Sequence, residues 1–160
     1  MSKLFRTTLW ILSGVGLIAF FFQTLSTFLI SPLMGLLSLL IAAVLVALVI
    51  FLLQRSPMWA RPARLWALLA FLWGGGVAVS LALISAGPVM QLAIGSGWVD
   101  AMMSWSGAYP EEISKATGVI FVLMSFRQLN RPWHGWMVGA VVGLGFEACE
   151  NILYGAMGAT

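Results

Sequence analysis

Charge is the scarcest commodity in this chain: of 160 residues only 13 are charged, eight basic and five acidic, which is 8% of the sequence. A soluble domain carries about 25% charged residues, and one of this size has too much surface relative to volume to hide so apolar a composition. Disorder is excluded by the same figures, because disordered chains are poor in apolar residues and rich in charge. Cysteine is nearly absent too. The single Cys149 rules out an intramolecular disulfide and any cysteine-based zinc site. There is one histidine, and no acid precedes Asp100.

What fills the chain is apolar: 61% of it is drawn from AVILMFWYC. Residues 7–54 and 65–99 contain no charge at all. A membrane-crossing helix needs about 20 apolar residues, so the first stretch holds two spans and the second one. The sequence therefore predicts an all-α, polytopic transmembrane helical bundle, a single membrane domain over residues 1–160. Its five expected spans are Thr8–Ile30, Leu33–Leu53, Leu65–Ala86, Pro110–Phe126 and His134–Met157. Ser31-Pro32 and Gly87-Pro88 are the turn signals that end the first and third. Val89–Ala108, punctuated by Gly95, Gly97 and Gly107 and carrying Trp98 and Trp105, reads as an interfacial or re-entrant segment. The apolar run after Lys3 and Arg6 continues to Ile30 without a small-x-small cleavage site, which makes it a retained anchor.

Seven of the eight basic residues fall in three regions that an odd number of spans puts on one side: Lys3 and Arg6, then Arg55, Arg61 and Arg64, then Arg127 and Arg131. The positive-inside rule makes that side, and the N-terminus, cytoplasmic. With so few charges, the net +3 is a topology signal rather than a nucleic-acid patch.

The eighth, Lys115, lies within a span, where an ionisable group is costly and marks a functional site by default. It belongs to the run Glu111-Glu112-Ile113-Ser114-Lys115. A second run, Phe146-Glu147-Ala148-Cys149-Glu150-Asn151 with Tyr154, lies on the next span. The connection centres near residues 130–131, with Glu112 about 18 residues before it and Glu150 about 19 after. At 1.5 Å per residue, antiparallel helices then set the two carboxylates at nearly one height in the outer leaflet, about 24 Å from His134. Gly135, Gly139 and Gly143 form a stripe suited to close helix approach. With Gly139 at zero, Glu150 falls near about 20° and Glu147 near about 80°, so Glu150 is the better candidate for a place inside the bundle. Either Glu111 or Glu112 can pair with Lys115 at helical spacing, and crowded carboxylates suit a shared proton, a cation or water activation.

The other candidates have plainer readings. His134 is expected as an interfacial residue beside Trp133 and Trp136 rather than a metal ligand. Gly74-Gly75-Gly76 is a helix-packing or kinking device, with no Lys-Ser/Thr to make it a phosphate loop. Cys149 has no basic neighbour to activate it.

Glu111-Glu112-x-x-Lys115, followed by Gly143-x-Gly145-Phe146-x-x-x-Glu150-Asn151-x-x-Tyr154, resembles the paired motifs of the PrsW family of intramembrane proteases, within the clan of CAAX prenyl-protease-like membrane enzymes. The resemblance covers about Tyr109–Gly155. It implies a multi-pass protease of the bacterial cell membrane, acting on membrane-embedded or juxtamembrane protein substrates within the lipid bilayer. Glu111, Glu112 and Glu150 would be the catalytic residues, with Lys115, Phe146, Asn151 and Tyr154 in support. The implied cofactor is a divalent metal, zinc first, with Glu150 as a ligand. Two departures stand out: position 147, usually small or apolar in such helices, is glutamate, and the family's histidine-bearing later spans lie outside these 160 residues. The uncharged ending Gly155–Thr160 fits the N-terminal portion of a longer chain. Two other classes are compatible with the residues alone: a proton- or cation-coupled carrier, for which paired intramembrane acids are also typical, and a non-catalytic membrane scaffold.

Overall fold

A computed structural model describes residues 3–157, and the structure it gives is a bundle of helices. Helix α1 (Lys3–Ile30) and α2 (Pro32–Arg55) form a hairpin joined by Ser31 alone, with Pro32 opening α2, the position where its missing N–H costs nothing. Helix α3 (Arg64–Leu72) passes through a π-helical turn (Trp73–Ala78) into α4 (Val79–Gly95). A 3₁₀ turn (Val99–Ala101) and the short α5 (Met102–Ser106) lead to α6 (Ala108–Ser125), and α7 (Pro132–Met157) completes the described fold.

Four of these segments are long and apolar enough to cross a membrane: Lys3–Ile30, Pro32–Arg55, Arg64–Gly95 and Pro132–Gly155. The protein is a multi-pass membrane protein, as its composition requires. Helix α6 is the shortest of the expected spans, at 18 residues, and its opening turns carry Glu111, Glu112 and Lys115. Helix α2 is apolar all round and exposes most of its side chains, the pattern of a helix whose solvent is lipid.

The third span does not stop at Gly87-Pro88. It runs on through Pro88 to Gly95, as membrane helices often do where neighbouring groups compensate the lost backbone bond. The interfacial segment is correspondingly shorter, confined to the 3₁₀ turn and α5. There Trp98 packs edge-on against Trp105 at 5.0 Å, and Trp105 against Tyr109 at 5.3 Å, an aromatic belt of the kind that sits at headgroup level.

The core is organised by glycine. All six residues of the π-helical turn are buried. A Cβ on Gly75 would lie 2.8 Å from the carbonyl oxygen of Gly145, and one on Gly74 would strike the carbonyl of Val142. Gly76 is pressed against the backbone of Gly16 on α1, and Gly145 against the carbonyl of Phe71. Three helices thus meet backbone to backbone, and three consecutive glycines are what permit it.

This corrects the expected packing of α7. Its buried face runs through Val138, Val141, Val142, Gly145, Cys149 and Ile152, not along the Gly135–Gly139–Gly143 stripe. That stripe flanks the buried face and looks toward α6. Cβ atoms on Gly135 and Gly139 would stand 3.9 Å from Leu123 and Val119, and one on Gly143 would meet nothing within 4 Å. Glu150 accordingly lies at the edge of the buried face, half-buried, and Glu147 is exposed.

His134 lies in the first turn of α7 with its ring beside that of Trp133. It is buried, and its Nδ1 accepts the backbone N–H of Arg131 at 3.1 Å, closing the turn that starts α7.

Gly145→Ala should destabilise the bundle by about 1–3 kcal/mol or more, the usual penalty of overpacking, whereas Gly143→Ala should be neutral or stabilising by up to about 1 kcal/mol through helix propensity. Thermal unfolding of the two variants side by side in detergent makes the comparison.

Candidate functional site

Helix α6 packs against α1, α4 and α7, and one side chain of the π-helical turn grips it directly. Trp73, in the π-helical turn, lays its ring across Gly118, where a Cβ would collide with it. Its indole Nε1 donates to the Ser114 carbonyl at 3.0 Å, and its ring stacks on Phe121 at 5.2 Å. Ser114, Gly118 and Phe121 follow at helical spacing, so a single tryptophan grips two turns of one face of α6. The neighbouring residues Glu111 and Lys115 are thereby fixed relative to the core.

Lys115 joins the two motif-bearing helices. Its Nζ donates to Glu112 Oε1 at 2.7 Å and stands 3.9 Å from Glu111 Oε2. The same ammonium sits 4.2 Å from the ring centroid of Phe146 on α7, an attraction worth about 0.5–2 kcal/mol according to how dry the contact is. Phe146 is fully buried, so the contact has a rigid floor. From this level the antiparallel helices run outward together, Glu112 three residues from Lys115 and Glu150 four from Phe146, which agrees with the depth argument from helical rise. Glu150 lies within electrostatic range of Glu111, Glu147 and Lys115, and Tyr154 Oη donates to its Oε1 at 3.4 Å.

Glu111, Lys115, Phe146, Glu150 and Tyr154 therefore gather along the groove where α6 meets α7, with Glu112 held to it only through Lys115 and Asn151 joined to α6 by no hydrogen bond among the described residues. The Lys115 side chain is 19% exposed, that of Glu111 30% and that of Glu112 72%. Asn151 and Tyr154 are exposed. At Gly143, on the same stripe, a Cβ would find open space. Tyr109, two residues before Glu111, packs on Trp105 of the aromatic belt.

A polar chain behind the groove was not anticipated from the sequence. Cys149 Sγ donates to Gln23 Oε1 at 3.3 Å, Gln23 Nε2 donates to Ser80 Oγ at 3.0 Å, and Ser80 Oγ donates to the Gly76 carbonyl at 2.7 Å. It ties α1, α4 and α7 together one residue from Glu150. The signal was Gln23, an amide inside a 48-residue uncharged stretch, where a polar side chain must find a partner.

Among the described residues no three His, Cys, Asp or Glu side chains converge to hold a metal. The carboxylates are shared with an ammonium, and His134 is committed to its turn at the far end of α7. This donor set does not fit the three protein ligands of a catalytic zinc.

Trp73→Phe removes the indole donor and leaves a cavity where the second ring was buried. It should cost about 2–4 kcal/mol in detergent unfolding, and Gly118→Leu, which displaces the ring itself, should also destabilise.

No curated protein and no solved structure matches the chain. Residues 62–160, well over half of it, match the family described as PrsW family intramembrane metalloprotease. The match begins before the third span and takes in the glycine turn, both acidic motifs and the Lys115–Phe146 contact between them, and by it the chain belongs to the PrsW family.

Proposed function

We propose that the α6–α7 groove hydrolyses peptide bonds of membrane-embedded or juxtamembrane proteins by carboxylate-activated water. The observation that carries this reading is the seating of Lys115 over Phe146, which locks the Glu-Glu-x-x-Lys helix to the Phe-x-x-x-Glu helix at one level. A membrane protease is what the family membership implies; the roles of individual residues are our assignment.

Glu111, the less exposed of the α6 pair, serves as general base. It takes a proton from a water whose oxygen adds to the substrate's carbonyl carbon, and the C–N bond breaks as the leaving nitrogen receives that proton. Such transfers contribute about 10²–10⁴-fold to a rate. Glu112 and Glu150 hold and orient the water and the scissile amide, while Lys115 offsets the crowding of negative charge and faces the developing oxyanion. Phe146 seats Lys115, and Asn151 and Tyr154 line the outer turn of α7, where Tyr154 donates to Glu150. A divalent metal, implied by the family's description, would draw Glu150 as one ligand. The described residues do not complete a site for it.

The tryptophan belt beside the groove supports a juxtamembrane cleavage position. The carrier reading has less support, because the spans before residue 99 bring no charge with which to continue a path across the bilayer. We also place the N-terminus in the cytoplasm, on the strength of the basic residues gathered at the opposite end of the bundle, and take the cell to be bacterial from the family resemblance.

Glu111→Gln and Glu150→Gln should each lower cleavage of a membrane-anchored reporter by about 100-fold or more, with thermal stability retained. Cleavage persisting near the parent rate in both variants, read as fragment appearance on gels, would sink the assignment. For orientation, alkaline phosphatase inserted in the 56–63 loop should be inactive, and an insertion at 96–97 active.

A further inference from the structure

At the end of the bundle away from the acids, a cleft of about 1480 Å³ opens between the α2–α3 loop, the start of α1 and the end of α6. Four guanidinium-bearing residues line it: Arg6 from α1, Arg61 and Arg64 from either side of the α3 start, and Arg127 from beyond α6. All five acids of the sequence lie at or after Asp100, toward the other end. Among the described residues every ion pair belongs to Lys115, so none of these four arginines has a carboxylate partner. By contrast, Arg55 and Arg131, the other two arginines near this end, stack on Phe51 and Trp133.

The cleft is built rather than incidental. Trp66 donates from Nε1 to the Ala60 carbonyl at 3.0 Å, and its ring packs at 4.7 Å on Trp59. Gln128 Nε2 donates to the Pro62 carbonyl at 3.2 Å, pinning the loop after α6 to the loop before α3. The first intrahelical bond here runs from the Ala67 N–H to the Ala63 carbonyl, which leaves the N–H groups of Arg64 and Leu65 free at a positive helix end within the cleft. The positive-inside rule explains why arginines are on this side. It does not require residues from three separated segments to converge on one cavity.

We propose that this cleft binds the phosphate headgroup of an anionic phospholipid. Guanidinium forks match phosphate oxygens in paired hydrogen bonds, and basic pockets at the cytoplasmic side of helix bundles are where such headgroups are held. The lining also supplies what a free phosphate does not need: Trp10, Leu65 and Phe126 border the arginines, and Trp10 is 47% exposed at the edge of the lipid-facing surface of α1. An amphipathic ligand, polar at one end and apolar at the other, suits that border. The inference is independent of the protease reading, because it uses none of the acidic groove.

The test is native mass spectrometry of the full chain in detergent, offered equimolar phosphatidylglycerol and phosphatidylcholine with the same acyl chains. Phosphatidylglycerol should be retained preferentially, and Arg61→Gln with Arg64→Gln should weaken its retention about tenfold or more. Arg61→Lys with Arg64→Lys keeps the topological charge but loses the fork, and should fall between the two. Arg131→Gln should leave retention unchanged. No preference for the anionic lipid, or a preference that survives the glutamine substitutions, would overturn the proposal. So would displacement of the lipid by millimolar inorganic phosphate, which would make the cleft a site for free phosphate.

Discussion

Everything in this fold hangs from the crossing of α1, the π-helical turn and α7, where Gly16, Gly74–Gly76 and Gly145 bring three backbones into contact. In lipid there is no hydrophobic force between helices, since acyl chains are as apolar as leucine. Association must come from dispersion at close range and from polar groups that find partners. The glycine crossing supplies the first. The chain from Cys149 through Gln23 and Ser80 to the Gly76 carbonyl supplies the second a turn or so away. The π-helical geometry belongs to the same solution, because an extra residue in the turn rotates Trp73 toward α6 while the glycines after it face α1 and α7. π-Bulges recur at functional sites, and here the bulge is what carries the core's rigidity to the helix bearing the acids.

From that crossing the groove follows by short steps. Trp73 fixes α6 through Ser114, Gly118 and Phe121. Helix α7, docked by Gly145, presents Phe146 one residue later, and Lys115 reaches across to it. Three carboxylates near one membrane boundary would repel one another without a cation among them. The lysine is therefore as necessary to the arrangement as the acids, and its position between the helices sets their relative height. Its ion pair with exposed Glu112 counts for little as stability; the contact with buried Phe146 is the one that constrains geometry.

Much of this was legible before any coordinate. The charge-free stretches gave the helices, and the constant rise of an α-helix brought Glu112 and Glu150 to one level because α6 and α7 are antiparallel neighbours joined by a short turn. What misled is equally physical. Pro88 signals a break in water, but in a long apolar helix its one missing bond is tolerated. The Gly135–Gly139–Gly143 stripe has the right spacing for close packing, yet spacing on one helix says nothing about its neighbour. The true contact is at Gly145, opposite the glycines of a different span. The Trp133–His134 pairing gives no hint that the ring also takes a backbone N–H three residues upstream.

The two ends of the molecule also explain each other. A bundle with so few charges could scatter them as topological markers alone, and a scattered set would be paired, stacked or solvated singly. Instead one end gathers carboxylates around a lysine in a groove beside an aromatic belt, and the other gathers arginines in a cleft without a carboxylate. The separation has an energetic consequence. Over the length of a membrane helix the two clusters are too far apart to pair, so neither neutralises the other. Each is met locally, by Lys115 at the acidic end and, as we propose, by an anionic headgroup at the basic end. The surface most available to arginines at that boundary is the bilayer's own.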